Sequence, residues 1–329
     1  SEPWQTLAKA NASLGPGDTV IVRAGTYAEV IRPESSGASA SERIVYLANP
    51  GDTVLLAGGS DGDTVVDLSG KDFVTIDGFH VKQAAPRLDE GAFADITVRG
   101  TGNVIRNCSV VNDVSAGESF DAGSREFGIG VFAGEDNLLE GNRVDGVWIG
   151  VIIFNPSLRT TIRCNSLRAN YLDAIRFESR KNLIAGDIVE QNDMGESYIS
   201  DGVQFNGDFD LPAEELAEDA SSCGVIIRRN RIWGNAENGV DLKGTCHILV
   251  EENLVYANVG DNDGTTKIAE SCSDTPNDRC GGTAIMLGSG TSARDNIIRR
   301  NVVYDNSGGI LTIDSWRVYN NTIVANNRD

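Results

Sequence analysis

The chain has 329 residues, with 28 basic against 48 acidic side chains, a formal charge of −20 and 37 glycines. That balance sets it against nucleic acid, whose phosphates it would repel, and against an anionic membrane surface. No run approaches the roughly 20 apolar residues of a membrane helix, while a 40% hydrophobic share allows a large core.

The first predicted element is short. In PWQTLAKANASL, residues 3–14, Trp4, Leu7, Ala8 and Leu14 recur at roughly helical spacing, which predicts an amphipathic helix over the open end of a core. Residues 1–15 are read as this N-terminal cap. GDTVIVRAGTYAEVI, residues 17–31, then begins the first strands.

Further along, the chain repeats itself. The phrase N-x-(I/V/L)-x-x-N occurs as NSLRAN at 165–170, NRIWGN at 230–235, NLVYAN at 253–258, NVVYDN at 301–306 and NTIVAN at 321–326. CSVVND at 108 and DIVEQN at 187–192 are weaker copies. A second phrase, small-(I/V)-x-apolar, follows as AIRF at 174–177, GVQF at 202–205, GVDL at 239–242, AIML at 284–287 and GILT at 309–312. Starts at 142, 165 and 187 lie 23 and 22 apart, those at 230 and 253 lie 23 apart, and those at 301 and 321 lie 20 apart.

A period of this length, with two or three short β-runs and no helical pattern, predicts one coil of a parallel β-helix. The fold class is all-β, with residues 1–329 as one solenoid domain. A leucine-rich repeat has a similar period, but its L-x-x-L-x-L phrase is missing. Asparagines at one position are expected to stack inside a turn, each amide bonding the next and the backbone freed there. The chain stops within a repeat at Asp329, which predicts that more sequence follows. Three gaps exceed a coil and place insertions at about 113–126, 207–222 and 259–281. Long loops in a solenoid gather on its working face, so these are expected to wall a groove beside the second-phrase strands.

Cys223 and Cys246 stand at equivalent places on consecutive coils, within disulfide reach. Cys272 and Cys280 close the short loop CSDTPNDRC. Two such bridges would imply an oxidising compartment; the alternative is that all six cysteines are thiols. Cys108 takes an asparagine's place in the ladder and Cys164 sits one residue out of register; both are read as buried thiols.

Aligning the second-phrase strands gives columns of outward residues. The middle column reads Gly130, Ile152, Arg176, Gln204, Asp241, Met286, Leu311. The next reads Phe132, Phe154, Glu178, Asn206, Lys243, Gly288, Ile313, and the leading one Ile149, Asp173, Asp201, Asn238, Thr283, Gly308. Polar groups concentrate on three consecutive coils: Asp173, Arg176, Glu178; Asp201, Gln204, Asn206; and Glu237, Asn238, Asp241, Lys243. Single charges on an exposed strand are commonly just solvated, so the clustering is what marks a site. Carboxylates stacked roughly 5 Å apart repel, and a cation among Asp201, Glu237, Asn238 and Asp241 would relieve that. Hard oxygen ligands suit Ca²⁺. The acidic pieces DFD at 208–210 and DND at 261–263 are weaker candidates, and His80 and His247 are read as structural.

The whole chain resembles the right-handed parallel β-helix polysaccharide lyases, in particular the family-nine pectate-lyase group. That group carries an aspartate in a D-G-apolar strand and an acidic cluster, D-D-G-x-D, one coil later; together they hold Ca²⁺. SDGVQF matches the first with Asp201, and ENGVDLK the second with Glu237, Asn238 and Asp241. The next coil of the family has a G-F-K-L-G-G-like strand whose lysine abstracts a proton. Here AIMLGSG puts Met286 at that place, and methionine cannot take a proton, so the family base is not carried over.

The resemblance implies β-elimination on a uronate, with a cation on the C6 carboxylate stabilising the charge left when the C5 proton departs. Lys243 is the expected base, its pKa lowered beside a cation, and a salt bridge to Asp241 or Glu178 is its bland competitor. Arg176 is suited to bidentate pairing with a carboxylate. Asp173, Glu178, Gln204, Asn206, Lys267 and Arg279 are expected around the substrate, with Lys267 and Arg279 as other possible bases. Two further classes stay open: a glycoside hydrolase using two of Asp173, Asp201 and Asp241 about 5–9 Å apart, and a non-catalytic glycan binder, which Met286 favours. The expectation is a secreted monomer with an acidic polysaccharide as partner.

Overall fold

The computed structural model of the chain describes residues 3–58, 64–82, 93–112, 126–178, 184–206, 224–244, 247–260, 282–287, 295–312 and 316–326. Among them, three all-parallel sheets run side by side, sheets A and B of 11 strands each and sheet C of 10. One coil takes a strand from each: Ile188–Glu190 in A, Asp193–Gly195 in B and Val203–Asn206 in C. This is the expected right-handed parallel β-helix, closed at its N-terminal end by the helix Leu7–Ser13.

Most A and B strands are three residues long because each has one inward position. Val189, Ile227, Val250 and Ile298 stack along sheet A, and Leu167, Met194, Ile232, Val255 and Val303 along sheet B, all buried. Sheet C contributes two inward residues per coil, such as Val203 with Phe205 and Val240 with Leu242. Each such aliphatic side chain removed from water stabilises by about 1.5–3 kcal/mol.

The corner between sheets A and B is turned by one residue with positive φ. Cys164, Gln191, Arg229, Glu252 and Arg300 all sit at φ 57–58° there. Left-handed backbone is unfavourable for these residue types, and the residue that follows repays it. Asn142, Asn165, Asn192, Asn230, Asn253, Asn301 and Asn321 form a ladder, buried up to Asn301 and partly exposed at Asn321. Asn165 Nδ2 donates to Asn192 Oδ1 and to Leu139 O, both at 3.0 Å, while its backbone N–H donates to Asn192 Oδ1 at 2.9 Å. A second ladder, including Asn235, Asn258, Asn306 and Asn326, does the same at the exit of sheet B. The small residue that opens the second phrase fits beneath it: a Cβ on Gly202 would meet Gly239 O at 2.7 Å and Asn235 Nδ2 at 3.0 Å.

Several sequence expectations are corrected. The ladder residue of the 187–192 phrase is Asn192, not Asp187, so that coil runs 27 residues from Asn165. Asp187 opens the sheet A strand, where its Oδ1 accepts from Thr160 N–H at 2.8 Å. In the cap helix the buried side is Leu7, Ala10, Asn11 and Leu14, while Trp4 and Ala8 are exposed. Asn11 takes an inward place because its amide is satisfied by Val30 O and Tyr46 Oη, each at 3.0 Å. Cys108 is a buried thiol in the ladder as expected, its Sγ pushed up to about 12 by burial. Cys164 is free but exposed, because the positive-φ corner turns its side chain away from the core. Cys223, Cys246, Cys272 and Cys280 lie outside the described residues, as do nearly all of the three insertions.

Candidate functional site

The strand register reproduces the outward columns. Ile152, Arg176, Gln204, Asp241 and Met286 pair in succession across sheet C, and so do Phe154, Glu178, Asn206 and Lys243. The leading column is held by side-chain oxygens. Asp173 Oδ1 accepts from Asp201 N–H at 3.1 Å, Asp201 Oδ1 from Asn238 N–H at 2.7 Å, and Asn238 Oδ1 from Thr283 N–H at 3.2 Å. It is a third ladder, in which two asparagine places are filled by aspartates.

The surroundings correct the expectation that Asp173, Asp201 and Asp241 face solvent on the outer side of the strands. Inward residues alternate with these, so Asp241 and Gln204 point away from the core, yet they are covered. Asp173 and Asp201 are 0% exposed, Asp241 and Asn238 1%, and Gln204 6%. The groups that reach solvent are the side chains of Lys243, Glu178 and Arg176, at 31%, 30% and 22%, together with the partly exposed Glu237 and Asn206. Any large ligand therefore meets these five groups first, with the aspartates beneath them.

Asp201, Glu237 and Asp241 each place a carboxylate oxygen within 4.8 Å of the others. At an effective dielectric of about 20, two full negative charges at this separation repel by about 3 kcal/mol. Burial first, and then the charges of Glu237, Asp241 and Asp173, hold the Asp201 carboxyl well above the usual range. Burial likewise raises Asp173, Glu237 and Asp241, against the opposing pull of Arg176 on the first and Lys243 on the other two. Lys243 Nζ lies 2.7 Å from Asp241 Oδ2. Burial opposes its charge, but Asp241, Asp201 and Glu237 more than compensate, so its pKa is raised. This is the bland pairing anticipated for Lys243, and the direction is opposite to the lowering a base needs. Arg176 bridges Glu178, at 2.7 Å, and Asp173, at 3.5 Å.

Three of the four expected metal ligands are thus brought together. Asp241 Oδ1 is buried with no hydrogen-bond partner, and Asp201 Oδ2 accepts from Gln204 Nε2 at 3.2 Å. Ca²⁺ takes oxygens at about 2.3–2.6 Å, so ligand atoms up to 4.8 Å apart can share one ion. The donor set fits a hard divalent cation. Asn238 fits it less well: its oxygen is engaged by Thr283, and its Nδ2 is buried without a partner. Lys267 and Arg279 lie outside the described residues. Ser200 was not anticipated. Its Oγ donates to Asp173 Oδ1 at 2.7 Å and approaches Glu237 Oε2 at 3.5 Å, tying two coils of the cluster together. Its place directly before Asp201 in the ladder was the available signal. Among the described residues, no helix is long and apolar enough to cross a membrane.

No family model matches the chain, and no curated protein matches it. Among solved structures, an alginate lyase from Paenibacillus sp. str. FPU-7 superposes with a TM-score of 0.56 at 13% identity, over 98% of this chain and 93% of that one. The Dettilon tailspike protein (gp208) gives 0.55 at 17% identity, over 90% of this chain and 54% of its own. The complex of XylC with xylose gives 0.51 at 11%, over 94% and 64%. The chain thus spans between about half and two thirds of the tailspike and XylC chains. At such identities the likeness is one of fold, the parallel β-helix, and it does not single out the family-nine group.

Proposed function

We propose that the chain is a polysaccharide-acting β-helix enzyme, secreted or periplasmic, that cleaves an acidic, uronate-containing glycan by cation-assisted β-elimination. The observation that carries this is the meeting of Asp201, Glu237 and Asp241 within 4.8 Å, with Asp241 Oδ1 buried and unpartnered. A cluster whose charged form is disfavoured by burial and by its own like charges is suited to hold Ca²⁺. A cation bound there supplies neutralisation of a uronate carboxylate and stabilisation of the developing enolate-like charge. Among the described residues, Arg176 and Lys243 are the cationic groups at the solvent side of the cluster. Arg176 would orient a substrate carboxylate, and among the described residues Lys243 is the amine beside the cluster that would take the C5 proton, Met286 being unable to accept one. Glu178 and Asn206, joined at 3.0 Å, offer acceptors and donors for sugar hydroxyls. The shared fold with an alginate lyase agrees with this reading, but the tailspike shares it too, so the site decides.

A hydrolase is the second reading, because burial raises the pKa of Glu237, the direction a general acid needs, and its side chain reaches solvent. Its weakness is spacing: the cluster sits at or inside the short, retaining separation of about 5–5.5 Å, and Lys243 rather than solvent stands beside Asp241. The test is incubation with pectate and alginate, with and without EDTA. Elimination predicts unsaturated products absorbing in the ultraviolet and lost with EDTA. New reducing ends without absorbance, insensitive to EDTA, would contradict it.

A further inference from the structure

All three outward columns of sheet C change character at one coil boundary. Ile149 gives way to Asp173 in the leading column, Ile152 to Arg176 in the middle and Phe154 to Glu178 in the next. On the two coils before that boundary, those of Phe127, Gly130 and Phe132 and of Ile149, Ile152 and Phe154, the same face is apolar. Ala94, Phe127, Ile149 and Ile152 form a small cluster of their own, separate from the interior, and Phe132, Trp148, Phe154 and Leu172 pack on it while remaining partly exposed. Outward apolar residues of this size on a parallel β-helix gain nothing from its core, so their burial is achieved on the outside.

The rings are arranged as a shelf. Phe132 reclines along the sheet across Gly130, where a Cβ would come within 2.2 Å of its ring. Phe154, on the next coil, stacks beside it at 6.1 Å between centroids and 28° between planes. At the far edge the exposed Arg99 guanidinium lies 6.0 Å over the Phe132 ring. At the near edge stands Arg176, in the column beside Glu178. A flat apolar surface bracketed by guanidinium groups matches an amphipathic ligand, one with a C–H face and an anionic edge. A uronate ring has both. Phe154 and Lys243 are three strands apart in one column, about 14 Å at the strand spacing. A pyranose is about as long as one coil is high.

From this we infer that the Phe132–Phe154 shelf with Arg99 is an outer glycan subsite, holding a uronate about three residues from the acid cluster in a chain laid along the rod axis. The inference rests on the proposed substrate class and deepens it: the ligand is an oligouronate long enough to span both regions. Binding to the shelf and cleavage at the cluster are separate events, so they fail separately.

The experiment is calorimetric titration, in EDTA so that no elimination occurs, with oligogalacturonates and oligomannuronates of two to six residues and with the carboxyl-reduced hexamers. Affinity is expected to rise about tenfold or more between the trimers and the hexamers of at least one series. Phe132→Leu with Phe154→Leu removes that rise, and Arg99→Gln weakens the uronate hexamer several-fold without weakening the reduced one. Thermal melts of the leucine variants, which keep apolar volume, confirm folding. Hexamers bound equally by wild type and Phe132→Leu/Phe154→Leu overturn the inference, as does failure of every hexamer to bind wild type. Cleavage by an enzyme indifferent to the leucine pair would end the shelf and spare the lyase reading; shelf-dependent binding without unsaturated product would do the reverse.

Discussion

The outer faces of sheets A and C handle charge in opposite ways. On sheet A one column reads Asp77, Arg106, Glu140, Arg163, Glu190, Arg228, Glu251, Arg299, acid and base alternating coil by coil. Each acid has an arginine of the next coil at 2.7–2.8 Å. On sheet C acid stacks over acid, in Asp173 over Asp201, with Glu237 and Asp241 beside them and, among the described residues, only Arg176 and Lys243 to answer. Stacking makes like neighbours of any repeated position, so compensation on sheet A is what a solenoid needs for stability. On sheet C the compensation is incomplete among the described residues, and the acids there are also buried, which is the feature the cation proposal rests on.

The sharpest way to break this contrast is Asp201→Asn. It keeps an oxygen for Asn238 N–H and removes the most strongly repelled charge. Turnover of an acidic glycan is expected to fall about 100-fold or more, the scale of a lost cation contribution. Melting in EDTA at pH 8 should stay level or rise, because a repulsion has gone. A fall in stability together with unchanged turnover would make Asp201 simply another ladder residue.

Asp187 is the intermediate case. It is buried at the margin of sheet A, with Ser157 Oγ and Thr160 N–H as donors and Arg159 only a weak influence, and burial raises its pKa to about 7. A raised folded pKa means that the native state holds the proton more tightly than the unfolded chain. Its contribution is full below the unfolded value near 4 and is lost as pH climbs through about 7. Asp187→Asn should flatten that decline, leaving the variant on the order of 2 kcal/mol more stable at pH 8, relative to wild type, than at pH 5. Denaturant melts at the two pH values check this; parallel curves would remove Asp187 from the account.

Glu190→Gln probes the compensated face. Its partner Arg228 is 30% exposed and Glu190 14%. The expected cost is below about 1 kcal/mol and shrinks in high salt. A larger, salt-independent loss would mean that the sheet A column is a structural spine and not a surface neutralisation.

Much of this was legible from the sequence, for a physical reason. In a parallel solenoid the register of one coil is the register of the next, so aligning AIRF, GVQF, GVDL and AIML was enough to give the columns through Arg176, Gln204 and Asp241. The ladder slipped at 187 because Asp187 is itself a ladder acceptor, for the corner before the sheet A strand, and so imitates the asparagine phrase. Burial of the acids was not readable. It depends on what Gln204, Arg176, Lys243 and Ser200 cover from neighbouring coils, and alternation along a single strand carries no trace of that. The alternating column of sheet A was readable, two residues before each ladder asparagine, as in Arg163, Glu190, Arg228 and Glu251.

The central claim concerns a cation, and calcium titration of the EDTA-stripped chain by calorimetry tests it without any substrate. Wild type should bind an ion at the cluster, and Asp201→Asn and Asp241→Asn should each abolish that binding while melting cooperatively. Equal calcium affinity in wild type and both variants, or no binding by folded wild type, would contradict the account.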